Sequence, residues 1–220
     1  ALLKSCADKK DACEGIRLHG DIHKKGLLPK IPYLGSSLIS MYSKCGLLAK
    51  AREVLEELPI RDVFSWNALI AGYASHGQGN EALNCFDQML KEGLSPDQVT
   101  FVCVLKACGI IGSIEKGKEI HDEVASSGLI EKDIVLGTAL VDMYAKCGLL
   151  EKAREVLDEF PVRNIISWNA LITGYAQQGQ NHEVLNSVDQ MRSEGLSPDG
   201  VTFICLLKAC GSTGAIDKGE

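Results

Sequence analysis

The chain has 220 residues, 45% of them apolar, few aromatics and a net charge of −6, so bulk charge does not mark it as a nucleic-acid binder. Its nine cysteines form neither a short secreted disulfide scaffold nor a zinc site, since Cys103/Cys108 and Cys205/Cys210 have four residues between them rather than two. No run approaches the apolar length of a membrane-spanning helix.

The thiols read as small packing residues in a reducing compartment. Frequent Ala, Leu, Glu and Lys favour helix. The whole sequence repeats at an offset of 102 residues: Lys44-Cys45-Gly46-Leu47-Leu48 returns as Lys146-Cys147-Gly148-Leu149-Leu150, and Ser65-Trp66-Asn67-Ala68-Leu69-Ile70 as Ser167-Trp168-Asn169-Ala170-Leu171-Ile172. Well over half of 32–118 is identical to 134–220 without a gap. Such regularity indicates stacked units sharing one continuous core.

In chain order, 1–31 is the tail of a 36-residue unit and 32–62 a unit of 31 residues; 63–97 follows with 35, and 98–133 with 36. The order then repeats as 134–164, 165–199 and the truncated 200–220. The chain thus starts and stops inside a unit, as a fragment of a longer array would. Proline punctuation at Leu58-Pro59, Ser95-Pro96-Asp97, Phe160-Pro161 and Ser197-Pro198-Asp199, with Lys132-Asp133, separates pairs of helical patterns. In 63–97, Ser65 is expected to cap a helix reaching about His76, with Trp66, Leu69, Ile70 and Tyr73 at helical spacing. A Gly-Gln-Gly turn leads into a second helix from about Asn80 to Lys91, stopped by Gly93. Each hairpin needs neighbours to cover its apolar face, so the expected fold is all-α: a right-handed α-solenoid of stacked helix-turn-helix units.

The Trp-Asn-Ala-Leu-Ile and Gly-Leu-Ser-Pro-Asp strings and the alternating 35/36/31 lengths resemble pentatricopeptide repeat proteins, specifically the PLS subclass of plant organelles with P, L and S units. Tetratricopeptide arrays keep one unit length and a different Trp-Leu-Gly-Tyr pattern. The resemblance implies single-stranded RNA binding, about one base per unit. It also implies that the fifth and last residues of a unit read the base, while the second stacks between bases. The implied reading residues are Ser36 with Asp62, Asn67 with Asp97, Thr138 with Asn164, and Asn169 with Asp199. The implied sandwiching residues are Tyr33, Phe64, Val99, Val135, Ile166 and Val201, all apolar as a base face requires.

On that pattern an ionised Asp97 draws the Asn67 amide hydrogens to itself and leaves the oxygen to accept from uracil N3–H. In the L unit Val102, paired with Asp133, replaces the polar reader, as Ile204 does in the truncated copy, so that position specifies weakly. By the family's code the site is 5′-G-U-N-A-U-3′. The resemblance further implies site selection for organellar C-to-U editing, in a mitochondrion or chloroplast, by a chain that is not itself an enzyme and has no cofactor or small-molecule substrate. The alternative is a protein-binding scaffold, with L units such as 98–133 docking multiple organellar RNA editing factor proteins.

First helices of units carry Lys4, Lys44, Lys106, Lys146 and Lys208 against Asp142, while second helices hold much of the acid. A locally basic strip in an acidic body is therefore expected. His121-Asp122-Glu123 spells the H-x-E of zinc deaminases without a downstream Cys-x-x-Cys, and reads as a second-helix segment. His19 and His23, four apart, have no evident third metal ligand. No P-loop or G-x-G-x-x-G is present.

Overall fold

The computed structural model describes residues 2–31, 33–128 and 133–213, with side chains up to Gly211. Parts of the units at 1–31, 32–62, 98–133 and 200–220, including Pro32 and the Lys132 of one punctuation mark, lie outside the described residues. Thirteen helices run through the described residues: α1 (Leu2–Lys9), α2 (Ala12–Lys24), α3 (Leu34–Lys44), α4 (Leu48–Glu57), α5 (Val63–Ser75), α6 (Gly79–Lys91) and α7 (Gln98–Ile111), then α8 (Ile114–Ser126), α9 (Ile134–Lys146), α10 (Leu150–Asp158), α11 (Ile165–Gln177), α12 (Asn181–Ser193) and α13 (Gly200–Thr213). They form two compact units, Ala1–Ala107 and Cys108–Glu220.

Each unit has the same two-layer build. In the first, α1, α3 and α5 stack side by side, α4 packs on α3 and α5, and α6 packs on α5. In the second, α9, α11 and α13 stack, with α10 and α12 forming the other layer. Composition explains the division. α5 (VFSWNALIAGYAS) buries Trp66, Leu69, Ile70, Tyr73 and Ala74, because it is covered from several sides. α6 is amphipathic and buries a single stripe of Ala82, Cys85, Phe86 and Met89.

Local chemistry sets the ends. α5 begins two residues before Ser65: Asp62 is the N-cap, its side chain accepting from Ser65 N–H at 2.8 Å while Ser65 Oγ accepts from Asp62 N–H at 3.0 Å. The expected cap is thus the reciprocal member of a capping box, a device that satisfies two orphan donors at once. At the other end Gly77 takes φ +76 and Gln78 N–H reaches back to the Tyr73 carbonyl at 3.0 Å. This Schellman turn uses the left-handed backbone that glycine adopts without a Cβ clash. Trp66 Nε1 donates to Glu92 Oε2 at 3.0 Å, and Trp168 Nε1 to Glu194 at 2.9 Å, tying the first helix of each hairpin to the end of its second. Arg61 and Arg163 hold the same two carboxylates at 3.1 and 2.8 Å.

All nine cysteines are free thiols. Burial pushes Cys85 and Cys103 up to about 11 and Cys108 to about 12, which suits packing better than reactivity.

Candidate RNA-reading face

The second residue of a first helix and its fifth lie three apart and share one helix face. On α5 these are Phe64 and Asn67, on α7 Val99 and Val102, on α9 Val135 and Thr138, on α11 Ile166 and Asn169, and on α13 Val201 and Ile204. Tyr33 stands just ahead of α3 in a left-handed backbone conformation, with Ser36 inside the first turn. A core role for the six apolar residues requires burial. Instead Tyr33, Phe64, Val99, Val135, Ile166 and Val201 are each between 47% and 64% exposed. Tyr33 and Phe64 meet edge to face, with ring centroids 5.4 Å apart.

The two asparagines behave differently from the apolar residues beside them. Asn67 is only 6% exposed and Asn169 9%. Asn67 Nδ2 donates to Asp97 Oδ1 at 2.9 Å, and Asn169 Nδ2 to Asp199 Oδ1 at the same distance. Both aspartates also cap the next first helix, since Thr100 N–H and Thr202 N–H donate to those same oxygens at 2.9 and 3.0 Å. Turn residue and amide holder are therefore one residue, and neither role excludes the other.

The Asn oxygens are not left free. Thr100 Oγ1 lies 2.7 Å from Asn67 Oδ1, and Thr202 Oγ1 2.7 Å from Asn169 Oδ1. One lone pair of each amide oxygen is thus engaged, and one remains for a base. The threonines were visible in the repeated Val-Thr-Phe string, but nothing local in that string says that its hydroxyl reaches a residue 33 positions earlier.

Burial tends to raise the Asp97 carboxyl. Hydrogen bonds from Thr100 N–H, the Asn67 amide and Val99 N–H outweigh it and hold the group below the usual carboxylate range. Asp199 is lowered by Thr202 N–H first, with the Asn169 amide and Val201 N–H adding to it against a burial effect. Both are ionised at neutral pH.

Ser36 and Thr138 are placed differently. Ser36 Oγ donates to the Tyr33 carbonyl at 3.0 Å and Thr138 Oγ1 to the Ile134 carbonyl at 2.6 Å, each within its own first turn. Asp62 and Asn164 cap α5 and α11 in capping boxes. Ser36 and Asp62 line one open cleft with Gly35 and Ser65, while no bond joins the two side chains. Val102 is half-buried, Ile204 is exposed, and Asp133 caps α9 through Val135 and Leu136 N–H.

Charge on the first helices is partly spent. Lys44 pairs with Asp8 at 3.1 Å and Lys146 with Asp142 at 2.6 Å. The expected basic strip therefore loses at least two of its five lysines to local partners. His121 lies on α8 with Nδ1 hydrogen-bonded to Tyr144 Oη at 2.8 Å, and His19 on α2 makes the same contact with Tyr42 at 2.9 Å. Among the described residues no group of three or more His, Cys, Asp or Glu could hold a metal ion, and no helix is long and apolar enough to cross a membrane.

Two sequence profiles match this chain, that of the PPR repeat family over 61–109 and 163–212, and that of the PPR repeat over 36–63 and 138–165. In Arabidopsis thaliana, "Pentatricopeptide repeat-containing protein At1g06140, mitochondrial" is 37% identical over 99% of the chain and 39% of its own length. "Pentatricopeptide repeat-containing protein At1g11290, chloroplastic" is 38% identical over 100% of the chain and 27% of its own length. The chain spans about a third of the length of the curated relatives it matches. Among solved structures, the pentatricopeptide repeat protein PPR10 in complex with an 18-nt psaJ RNA element superimposes with a TM-score of 0.80 at 18% identity, over 99% of this chain and 32% of that one. That likeness establishes the fold, a solenoid of stacked helix pairs.

Proposed function

This chain belongs to the pentatricopeptide repeat family, whose profiles together cover more than half of it, and from that premise we propose that it is a sequence-specific single-stranded RNA-binding array. The observation that carries the proposal is the pairing of an exposed apolar side chain with a buried, hydrogen-bonded amide one helical turn along. Phe64 with Asn67–Asp97, and Ile166 with Asn169–Asp199, combine a surface that stacks on any base with a polar group held by an ionised partner. The RNA complex of PPR10, a protein of the same fold, supports this reading.

In detail, the units 32–62, 63–97, 134–164 and 165–199 read one base each through Ser36/Asp62, Asn67/Asp97, Thr138/Asn164 and Asn169/Asp199. The 36-residue unit at 98–133 reads weakly through Val102 and Asp133. The target is 5′-G-U-N-A-U-3′. The 35/36/31 order supports membership of the PLS subclass and, with it, selection of sites for C-to-U editing. In this reading the array selects RNA and does not perform the chemistry, and 98–133 also docks editing cofactors. Relatives named as mitochondrial and chloroplastic support an organellar location.

The test is a binding titration on RNA containing 5′-GUNAU-3′ with Asn67→Thr and Asn169→Thr. Preference opposite the altered units is expected to move from uracil to guanine. A base preference unchanged in both variants overturns the assignment of readers.

A further inference from the structure

We propose that Thr100 and Thr202 are positioning residues for base reading, whose hydroxyls lock the Asn67 and Asn169 amides in the orientation that separates uracil from cytosine. This rests on the reading of those asparagines as base readers.

The argument starts from hydrogen counting. Thr100 Oγ1 has one hydrogen and accepts from Asp97 N–H at 3.1 Å. Two oxygens lie within reach of that hydrogen, Asn67 Oδ1 at 2.7 Å and Asp97 Oδ1 at 2.9 Å. Asp97 Oδ1 already accepts from Thr100 N–H and Asn67 Nδ2, both at 2.9 Å, and is the more heavily engaged acceptor. The hydroxyl hydrogen therefore goes to Asn67 Oδ1, the shorter contact. The amide is gripped at both ends, nitrogen by carboxylate and oxygen by hydroxyl. Turning it over would set Oδ1 against the ionised carboxylate and leave the hydroxyl hydrogen facing N–H. The second copy has the same arrangement, with Thr202 Oγ1 at 2.7 Å from Asn169 Oδ1 and 3.1 Å from Asp199 Oδ1, which also accepts from Val201 N–H at 3.0 Å, and with Asp199 N–H at 3.2 Å.

The lock bears directly on specificity. An amide presents a donor at one end and an acceptor at the other. Uracil donates from N3, whereas cytosine accepts there. An amide free to turn over suits both pyrimidines, and one that is held suits one.

The rest of the chain supplies internal controls. After the 31-residue units the corresponding residues are Ser65 and Ser167. Their hydroxyls donate to the carbonyls of Asp62 and Asn164, at 2.7 and 2.8 Å, and not to Ser36 or Thr138. After the 36-residue unit the position is Leu136, which has no hydroxyl. The two-ended grip occurs where the reader is an asparagine. Reading by 63–97 and 165–199 thus depends on a side chain from the following unit.

The experiment compares the whole chain with Thr100→Val and Thr202→Val, singly, on RNAs carrying U or C opposite each asparagine. Valine keeps the branched shape and removes the hydroxyl; Thr100→Ser and Thr202→Ser restore it. Each single variant carries the unaltered unit as its own folded reference. The U-over-C ratio is expected to fall by about tenfold opposite the altered unit only, the scale of one hydrogen bond, and to return in the serine variants. A wild-type ratio in the valine variants overturns the positioning role. Asn67→Ala and Asn169→Ala run alongside. If they abolish the ratio while valine does not, the positioning role alone fails. If they too leave it unchanged, base reading by these asparagines fails and the inference with it.

Discussion

At the residue scale, each chemical group in the candidate site has a stated environment that forecasts its behaviour. Asp97 and Asp199 are held below the usual carboxylate range. A depressed folded-state value adds stability above the unfolded value of about 3.9, and that stability is lost as pH falls through the lower folded value. Uracil preference should therefore stay flat from about pH 8 to about pH 5 and fail only below about pH 4. A fluorescence titration showing preference that changes near neutrality would contradict ionised aspartates as the amide holders. Ser43 offers a different case. It is buried on α3 and its Oγ has no hydrogen-bond partner among the described residues, whereas its counterpart in the second copy is Ala145. Ser43→Ala removes an unsatisfied hydroxyl and should stabilise the chain by about 1 kcal/mol in urea unfolding.

At the scale of the element, the spacing between helices decides which small residues are needed. A Cβ on Gly174 of α11 would sit 2.8 Å from Ala145 Cβ and 2.8 Å from Leu150 Cδ2. α11 and α9 approach closely there because nothing projects between them. Gly174→Ala should cost about 1–3 kcal/mol through overpacking, despite alanine's better helix propensity. Gly20 on α2 has nothing within 4 Å of a built Cβ. Gly20→Ala should instead gain roughly 0.5–1 kcal/mol. Opposite signs for these two in thermal or urea unfolding would separate packing from propensity. Helix identity, type and order were legible in the sequence, because apolar spacing and proline punctuation are local signals. The N-cap of α5 is Asp62, three residues ahead of the expected Ser65, because the two share the capping and a sequence shows only that both can cap.

At the scale of the whole molecule, charge is the informative quantity. A chain of net charge −6, with Lys44 and Lys146 already paired, has few cations to neutralise phosphates. With at most about three phosphate contacts from these lysines, the slope of log affinity against log salt should not exceed about 2 in magnitude for a single strand. Affinity then leans on stacking. Phe64→Ala should weaken binding by roughly 1–3 kcal/mol without altering base preference. A steep salt slope, or a changed preference on losing Phe64, would count against an array that binds by stacking and reads by amides.

The sequence by itself determined that this is a repeat array and that its elements are helices. Those facts follow from periodicity, proline and glycine, which act on nearby backbone. Only the tertiary structure decided which of the candidate residues touch. Asn67 and Asp97 are 30 positions apart and bonded, whereas Ser36 and Thr138 turn back on their own helices, and two threonines outside the expected reading set hold the amides. The reason is physical. A side-chain hydrogen bond depends on where stacking places one first helix against the next, and no local pattern encodes that distance.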